Sequence, residues 1–213
     1  MFNMSNFKKI LPILILLVCF TSFGVDVLSI YNNHIRNFDQ SVGSWIQGFE
    51  TPAITSLMKL FTDIGGGLPL IIIILLALFI MYRYLSYHKE LGFLIGVMVG
   101  STVLNACLKF LFHRDRPLIH RIIDAHGYSF PSGHSMSAFS FYGALSFMLW
   151  KHVPTLVGRI ILVLISSFLI LGIGISRIYL GVHYPSDIIG GYFVSASWLI
   201  PCFMLYRKYI KRE

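Results

Sequence analysis

From Leu156 to Ile175 the chain reads LVGRIILVLISSFLILGIGI, with Arg159 as its one charge. A helix that crosses a bilayer needs roughly 20 consecutive apolar residues, and this stretch supplies them. Five more stretches of the same kind lie at Ile10 to Ile30, Leu68 to Tyr84, Leu91 to Phe112, His134 to Trp150 and Ile188 to Tyr206. Backbone amides and carbonyls in hydrocarbon must be satisfied within the segment, which leaves the α-helix as the economical solution. The pattern predicts an all-α integral membrane bundle of six transmembrane helices. No internal repeat, low-complexity segment or linker divides it, so residues 1–213 are read as a single membrane-embedded domain.

Composition agrees. The chain of 213 residues is 56% hydrophobic, 15% aromatic and only 12% charged, about half the charged fraction of a soluble domain. Its formal net charge of +8 does not point to nucleic acid, because the basic residues sit between apolar runs and form no continuous stripe. Cys19, Cys107 and Cys202 lie in apolar runs without paired spacing, so neither a disulfide frame nor a metal site is expected from them. Lys8 and Lys9 before an apolar run, with Ser22-Phe23-Gly24 behind it, resemble a cleavable signal. The apolar character continues to Ile30, which favours a retained first span.

The basic residues also predict topology. Lys8, Lys9, Arg83, Lys89, Lys151, Arg159, Arg207, Lys208, Lys211 and Arg212 fall on one side, with Glu90 and Glu213 as that side's acids. By the positive-inside rule both termini are cytoplasmic. The other side holds Arg36, Lys59, Lys109, Arg114, Arg116, Arg121 and Arg177 with seven acids, and its cluster from Lys109 to Arg121 calls for a second explanation, which anion binding supplies. Between the first two spans lies an outer segment, Tyr31 to Gly67, where Ile54, Leu57, Met58 and Phe61 recur at helical spacing. That face suits a short helix lying at the interface, or equally one packed on the bundle. Trp45, Trp150 and Trp198 are candidate interfacial anchors, and Gly92, Gly96 and Gly100 allow close packing of the third span.

Counting spans puts the loop after span three and the loop after span five on the same outer side. There the unusual residues gather: Lys109 and Arg116-Pro117, then Pro131-Ser132-Gly133-His134, then Ser176-Arg177, then His183 and Asp187. Each has an ordinary reading alone, such as Ser132 as an N-cap or Lys109 reaching out from a helix end. Together they suit a phosphate monoester. Lys109, Arg116 and Arg177 meet its charge, the two arginines offering bidentate forks. The amides near Ser132, Gly133 and His134 open a helix and form an anion site. Asp187 follows His183 by four positions, one helical turn, and can hold the imidazole with its other nitrogen free to attack phosphorus. His134 can then protonate the leaving oxygen. His113, Arg114, His120, Arg121 and His126 receive no catalytic role.

Lys109-x6-Arg116-Pro117, Pro131-Ser132-Gly133-His134 and Ser176-Arg177-x5-His183-x3-Asp187 resemble, in order and spacing, the three signatures of the type-2 phosphatidic acid phosphatase family. The motifs cover Lys109 to Asp187, and the six-span layout also fits the family's membrane members. The resemblance implies a phosphohistidine on His183, His134 as acid, Asp187 as orienting group, and no cofactor or required metal. It implies a lipid phosphate in a bacterial plasma membrane as substrate: phosphatidylglycerophosphate, undecaprenyl pyrophosphate or phosphatidic acid. Rival readings are a haloperoxidase, a phosphotransferase and a non-catalytic lipid phosphate carrier. The spans argue against the first, and the paired histidines and Asp187 against the last. No partner beyond the membrane and its lipid is indicated, and the oligomeric state is left open.

Overall fold

The apolar runs fold as helices throughout. The structure, a computed structural model, describes the backbone of residues 4–84, 88–118 and 120–209, with side chains from residue 10 onward apart from 84, 88, 89 and 209. The topology-bearing Lys8, Lys9, Lys89, Lys211, Arg212 and Glu213 lie outside the side chains so described. Among the described residues eight helices follow one another: α1 (Met4–Tyr31), α2 (Arg36–Gln47), α3 (Pro52–Gly65), α4 (Gly67–Tyr84), α5 (His88–Phe112), α6 (Gly133–Leu149), α7 (Leu156–Tyr179) and α8 (Pro185–Tyr209). No strand occurs among the described residues.

Four of these helices, α1, α5, α7 and α8, are long and apolar enough to cross a membrane. A fifth candidate is the pair α3 and α4, which passes as one span bent by 54° at Gly66. The expectation is six spans; by length and composition four to five qualify. At 17 residues, α6 reaches about 25 Å at 1.5 Å per residue, short of a hydrocarbon core of about 30 Å. Its place in the bundle accounts for that. It packs against α5, α7 and α8, and Met136, Ala138, Phe141, Ala144 and Met148 are buried around its circumference. Shielded by its neighbours, α6 meets little lipid. Serine pairs tie it in place: Ser140 Oγ donates to Ser101 Oγ of α5 at 2.9 Å, and Ser146 bonds Ser166 of α7.

The outer segment holds two helices, of which the spacing foresaw only α3. Thr51 caps α3, accepting from Ile54 N, with Pro52 in the first turn. Phe61 and Thr62 are buried, and α3 docks along α7 so closely that a Cβ on Gly65 would fall 2.2 Å from Ile173 Cγ2. Leu57 remains half exposed. The second helix, α2, has the polar sequence RNFDQSVGSWIQ and buries Asp39.

Trp198 corrects one expectation. It is no interfacial anchor: its indole lies between α5 and α8, Nε1–H donating to Val97 O at 3.0 Å, against Gly100, where a Cβ would come within 2.1 Å of the ring. Gly100 thus serves close packing, whereas Gly92 and Gly96 face open space. Trp45 and Trp150 are exposed. The three cysteines are free thiols. At the bundle end away from the motifs, Glu90 of α5 accepts from Lys151 Nζ at 2.5 Å and Tyr206 Oη at 2.8 Å, joining α5, the α6–α7 turn and α8.

Candidate active site

The C-terminal ends of α5 and α7 and the N-terminal ends of α6 and α8 meet at one end of the bundle, and the motif residues converge there. After α7 the chain reverses in a tight turn. Gly181 supplies the positive φ of 72°, and the amides of Val182 and His183 return to Arg177 O at 3.2 and 3.3 Å. His183 is carried on this turn, 3% exposed.

Asp187, in the first turn of α8, stands where the four-residue spacing puts it. Its Oδ2 accepts from His183 Nδ1 at 3.2 Å and from Tyr184 N at 2.9 Å. On the other edge of the ring, Arg116 Nη1 donates to His183 Nε2 at 3.1 Å. A carboxylate on one nitrogen and a guanidinium on the other define the tautomer: Nδ1 carries the proton and Nε2 keeps its lone pair. Burial pushes the His183 pKa down to about 4, against the opposing pull of Asp187, so the ring is neutral at pH 7.

A cavity of about 460 Å³ opens beside this imidazole, lined among others by Lys109, Arg116, Gly133, His134, Arg177 and His183. Arg177 is 5% exposed; it donates through Nη1 to Thr62 Oγ1, while its Nε is buried without a partner among the described residues. A buried guanidinium N–H left unpaired costs free energy, and an anion is one group that could satisfy it. Arg116 is more committed than its sequence suggests. Its Nε donates to Gly127 O at 2.9 Å, Nη1 to Val182 O at 2.9 Å and Nη2 to His126 O at 3.1 Å. Those carbonyls occupy most of the fork expected for the ligand, and Arg177 has the freer one. The acids at this cavity, Asp63 and Asp124, are exposed, so cations dominate its depth.

His134 lies against Gly66, in the bend between α3 and α4. A Cβ there would sit 2.3 Å from His134 Nε2, so the bare glycine makes room for the imidazole. Gly133 is used similarly by Asn105, whose Oδ1 would be 3.0 Å from an added Cβ and whose Nδ2 donates to Pro131 O at 3.0 Å. Ser132 is fully buried and does not reach the cavity. Its Oγ accepts from Ser135 N at 3.4 Å as the cap of α6, and its own amide donates to Asp187 O at 3.0 Å.

Several residues of this region went unassigned in the sequence: Thr62, Gly66, Asn105, Ser129, Asp39 and Arg114. Arg114 is the most consequential. Its Nη1 donates to Asp187 Oδ1 at 2.6 Å and its Nη2 to Asp39 Oδ2 at 2.7 Å. One signal for it existed, an arginine two positions from Arg116 in a loop already too basic for its side. Nothing in the linear order paired it with Asp39.

Fold and cavity together define a membrane enzyme that handles an anion. The comparisons give that class its family. The model described as the PAP2 superfamily matches residues 90–211. Phosphatidylglycerophosphatase B of Bacillus subtilis (strain 168) is 32% identical over 179 residues, which are 81% of this chain and 85% of that one. The crystal structure of a transmembrane PAP2 type phosphatidylglycerolphosphate phosphatase from Bacillus subtilis covers 93% of this chain and 98% of its own, with a TM-score of 0.81 at 27% identity. The crystal structure of Aquifex aeolicus LpxE covers 80% and 94%, with a TM-score of 0.60 at 28% identity. The chain belongs to the PAP2 superfamily, and it is a multi-pass membrane phosphatase of that family.

Proposed function

We propose that the chain hydrolyses the terminal phosphate of a lipid, phosphatidylglycerophosphate or undecaprenyl pyrophosphate, with phosphatidic acid as a further substrate, through a phosphohistidine at the outer face of the bacterial plasma membrane. The observation that carries the reading is Arg177, buried with an unpaired Nε at a cavity shared with a neutral His183. The substrate phosphate lies among Lys109, Arg116 and Arg177, with the first turn of α6 at Gly133 and His134 behind it. As it binds, the Arg116 N–H that now bonds His183 Nε2 passes to a phosphate oxygen and frees the lone pair.

His183 Nε2 attacks phosphorus and a P–N bond forms. The bond to the leaving oxygen breaks, and His134 gives that oxygen its proton. Asp187 holds the Nδ1 proton as positive charge builds on the ring. Water then enters from the side the lipid has left. His134 takes its proton, the P–N bond breaks, and inorganic phosphate and neutral His183 are regenerated. The cations stabilise charge on the equatorial oxygens in both steps.

Purified protein given each of the three lipids, with kcat/KM for phosphate release, ranks the substrates, and turnover is expected to persist in excess EDTA. His183→Ala is expected to abolish both turnover and an acid-labile phosphoenzyme while the protein stays folded. A phosphoenzyme trapped on another residue overturns the assignment, and so does phosphate release by His183→Ala at the wild-type rate.

A further inference from the structure

One carboxylate, Asp39, and one guanidinium, Arg114, are buried behind the His183–Asp187 pair, and the chemistry above leaves them unused. Side-chain exposure is 15% for Arg114, 2% for Asp39 and 0% for Asp187. Asp39 comes from α2. It accepts from Ser186 N at 2.9 Å, Ser186 Oγ at 2.7 Å and Arg114 Nη2 at 2.7 Å. Arg114 Nη1 donates to Ser186 Oγ at 2.7 Å and to Asp187 Oδ1 at 2.6 Å, and the guanidinium stacks over the Tyr184 ring, 4.3 Å from its centroid. Asp187 is thereby gripped at both oxygens: Arg114 on Oδ1, His183 and Tyr184 N on Oδ2.

We propose that Arg114 and Asp39 are positioning residues of the active site, a relay in which Asp39 of α2 aims Arg114, Arg114 orients the Asp187 carboxylate, and Asp187 presents His183. The inference rests on the phosphatase reading of His183 for its kinetic consequence, and on the geometry alone for its electrostatic one. Arg114 draws negative charge away from Asp187, so it weakens the hold of Asp187 on an additional imidazole proton and adds to the lowering that burial imposes on His183. The pair of carboxylates balances Arg114 in turn: burial opposes its charge, yet Asp187 and Asp39 raise its pKa above the ordinary value. Loss of one partner would leave a buried charge uncompensated. The charged and titratable groups around His183 are Asp187 of α8, Arg177 of α7, His134 of α6, Lys109 of α5, Arg114 and Arg116 of the loop after α5, Asp39 of α2, and, further off, Asp26 of α1. Removing Arg114 shifts that sum towards negative and makes His183 more basic.

The test compares wild type with Arg114→Gln, Arg114→Lys and Asp39→Asn, each as full-length protein in detergent micelles. One measurement is kcat and KM on the lipid that the wild type turns over fastest. The other is the His183 pKa from carbon-13 histidine NMR, with the signal assigned through His183→Gln. Arg114→Gln is expected to lower kcat roughly 10- to 100-fold with little change in KM, and to raise the His183 pKa by about one unit from its value of about 4. Arg114→Lys keeps a cation that cannot bridge two carboxylates, so it restores the pKa and part of kcat. Asp39→Asn still accepts from Ser186 and gives a smaller loss of kcat, without raising the His183 pKa. Wild-type kcat in Arg114→Gln, or a His183 pKa that stays or falls, overturns the relay and leaves Arg114 as packing. If the wild type releases phosphate from no lipid, the phosphatase reading fails by itself, and the NMR titration still decides the relay.

Discussion

At the residue scale, two histidines share one cavity under different constraints. His183 is immobilised by Asp187 and Arg116 and held neutral by burial, the condition a nucleophilic nitrogen needs at pH 7. His134 projects from the first turn of α6 and is confined by Gly66. If its work is to protonate the leaving oxygen, the cost of His134→Ala depends on the leaving group. A lipid alkoxide needs that proton, whereas an activated aryl phosphate departs with little help. Turnover of the lipid is expected to fall roughly 100-fold or more, with a much smaller loss on the aryl phosphate. Paired kcat measurements on the two substrates check it, and equal losses would assign His134 to binding instead.

At the element scale, the bend between α3 and α4 belongs to the site as well as to the fold. Its 54° break falls at Gly66, and the same residue leaves the space that His134 fills. Gly66→Ala places a methyl where the imidazole now is. The ring must then rotate or α6 must shift, and a displacement of about 1 Å in a reacting group can cost roughly 100-fold. The expected outcome is a loss of kcat of that order in a protein that still purifies as a folded species, read from phosphate release against thermal unfolding. Trp198 teaches the same lesson about elements. As a tryptophan in a membrane-spanning run it reads as an anchor. Its indole N–H, however, finds Val97 O inside the bundle, and Gly100 provides the space.

At the scale of the whole molecule, the motif residues share one bundle end, and Glu90, Lys151 and Tyr206 tie the other together. The proposed topology counts the sheltered α6 as a sixth span beside the four long helices and the bent pair; with both termini inside, it puts the motif end outside. In a variant with Cys19, Cys107 and Cys202 replaced, single cysteines at the exposed positions Asp124 and His152 report the two sides. On intact cells, Asp124→Cys is expected to react with a membrane-impermeant maleimide and His152→Cys only after the membrane is opened. The reverse pattern would move the chemistry to the cytoplasm and remove the outer-leaflet lipid as substrate.

The sequence by itself determined the helical membrane class, the extent of the long apolar helices to within a few residues, and the ends of those helices that meet. These are local properties: hydropathy over a span's length, Pro and Ser at a helix start, and the four-residue spacing of His183 and Asp187. Only the tertiary structure decided that α6 is the sheltered helix at 17 residues, that the Arg116 fork is largely spent on carbonyls of its own loop, that Ser132 caps α6 away from the cavity, and that α2 exists and delivers Asp39 to Arg114 across 75 positions of chain. An apolar run has the same composition whether it faces lipid or other helices, because hydrocarbon and protein interior are alike to it. A buried ion pair is specified by two distant residues whose charges carry no mark of their partner. It becomes legible only when folding removes the water that would otherwise satisfy them.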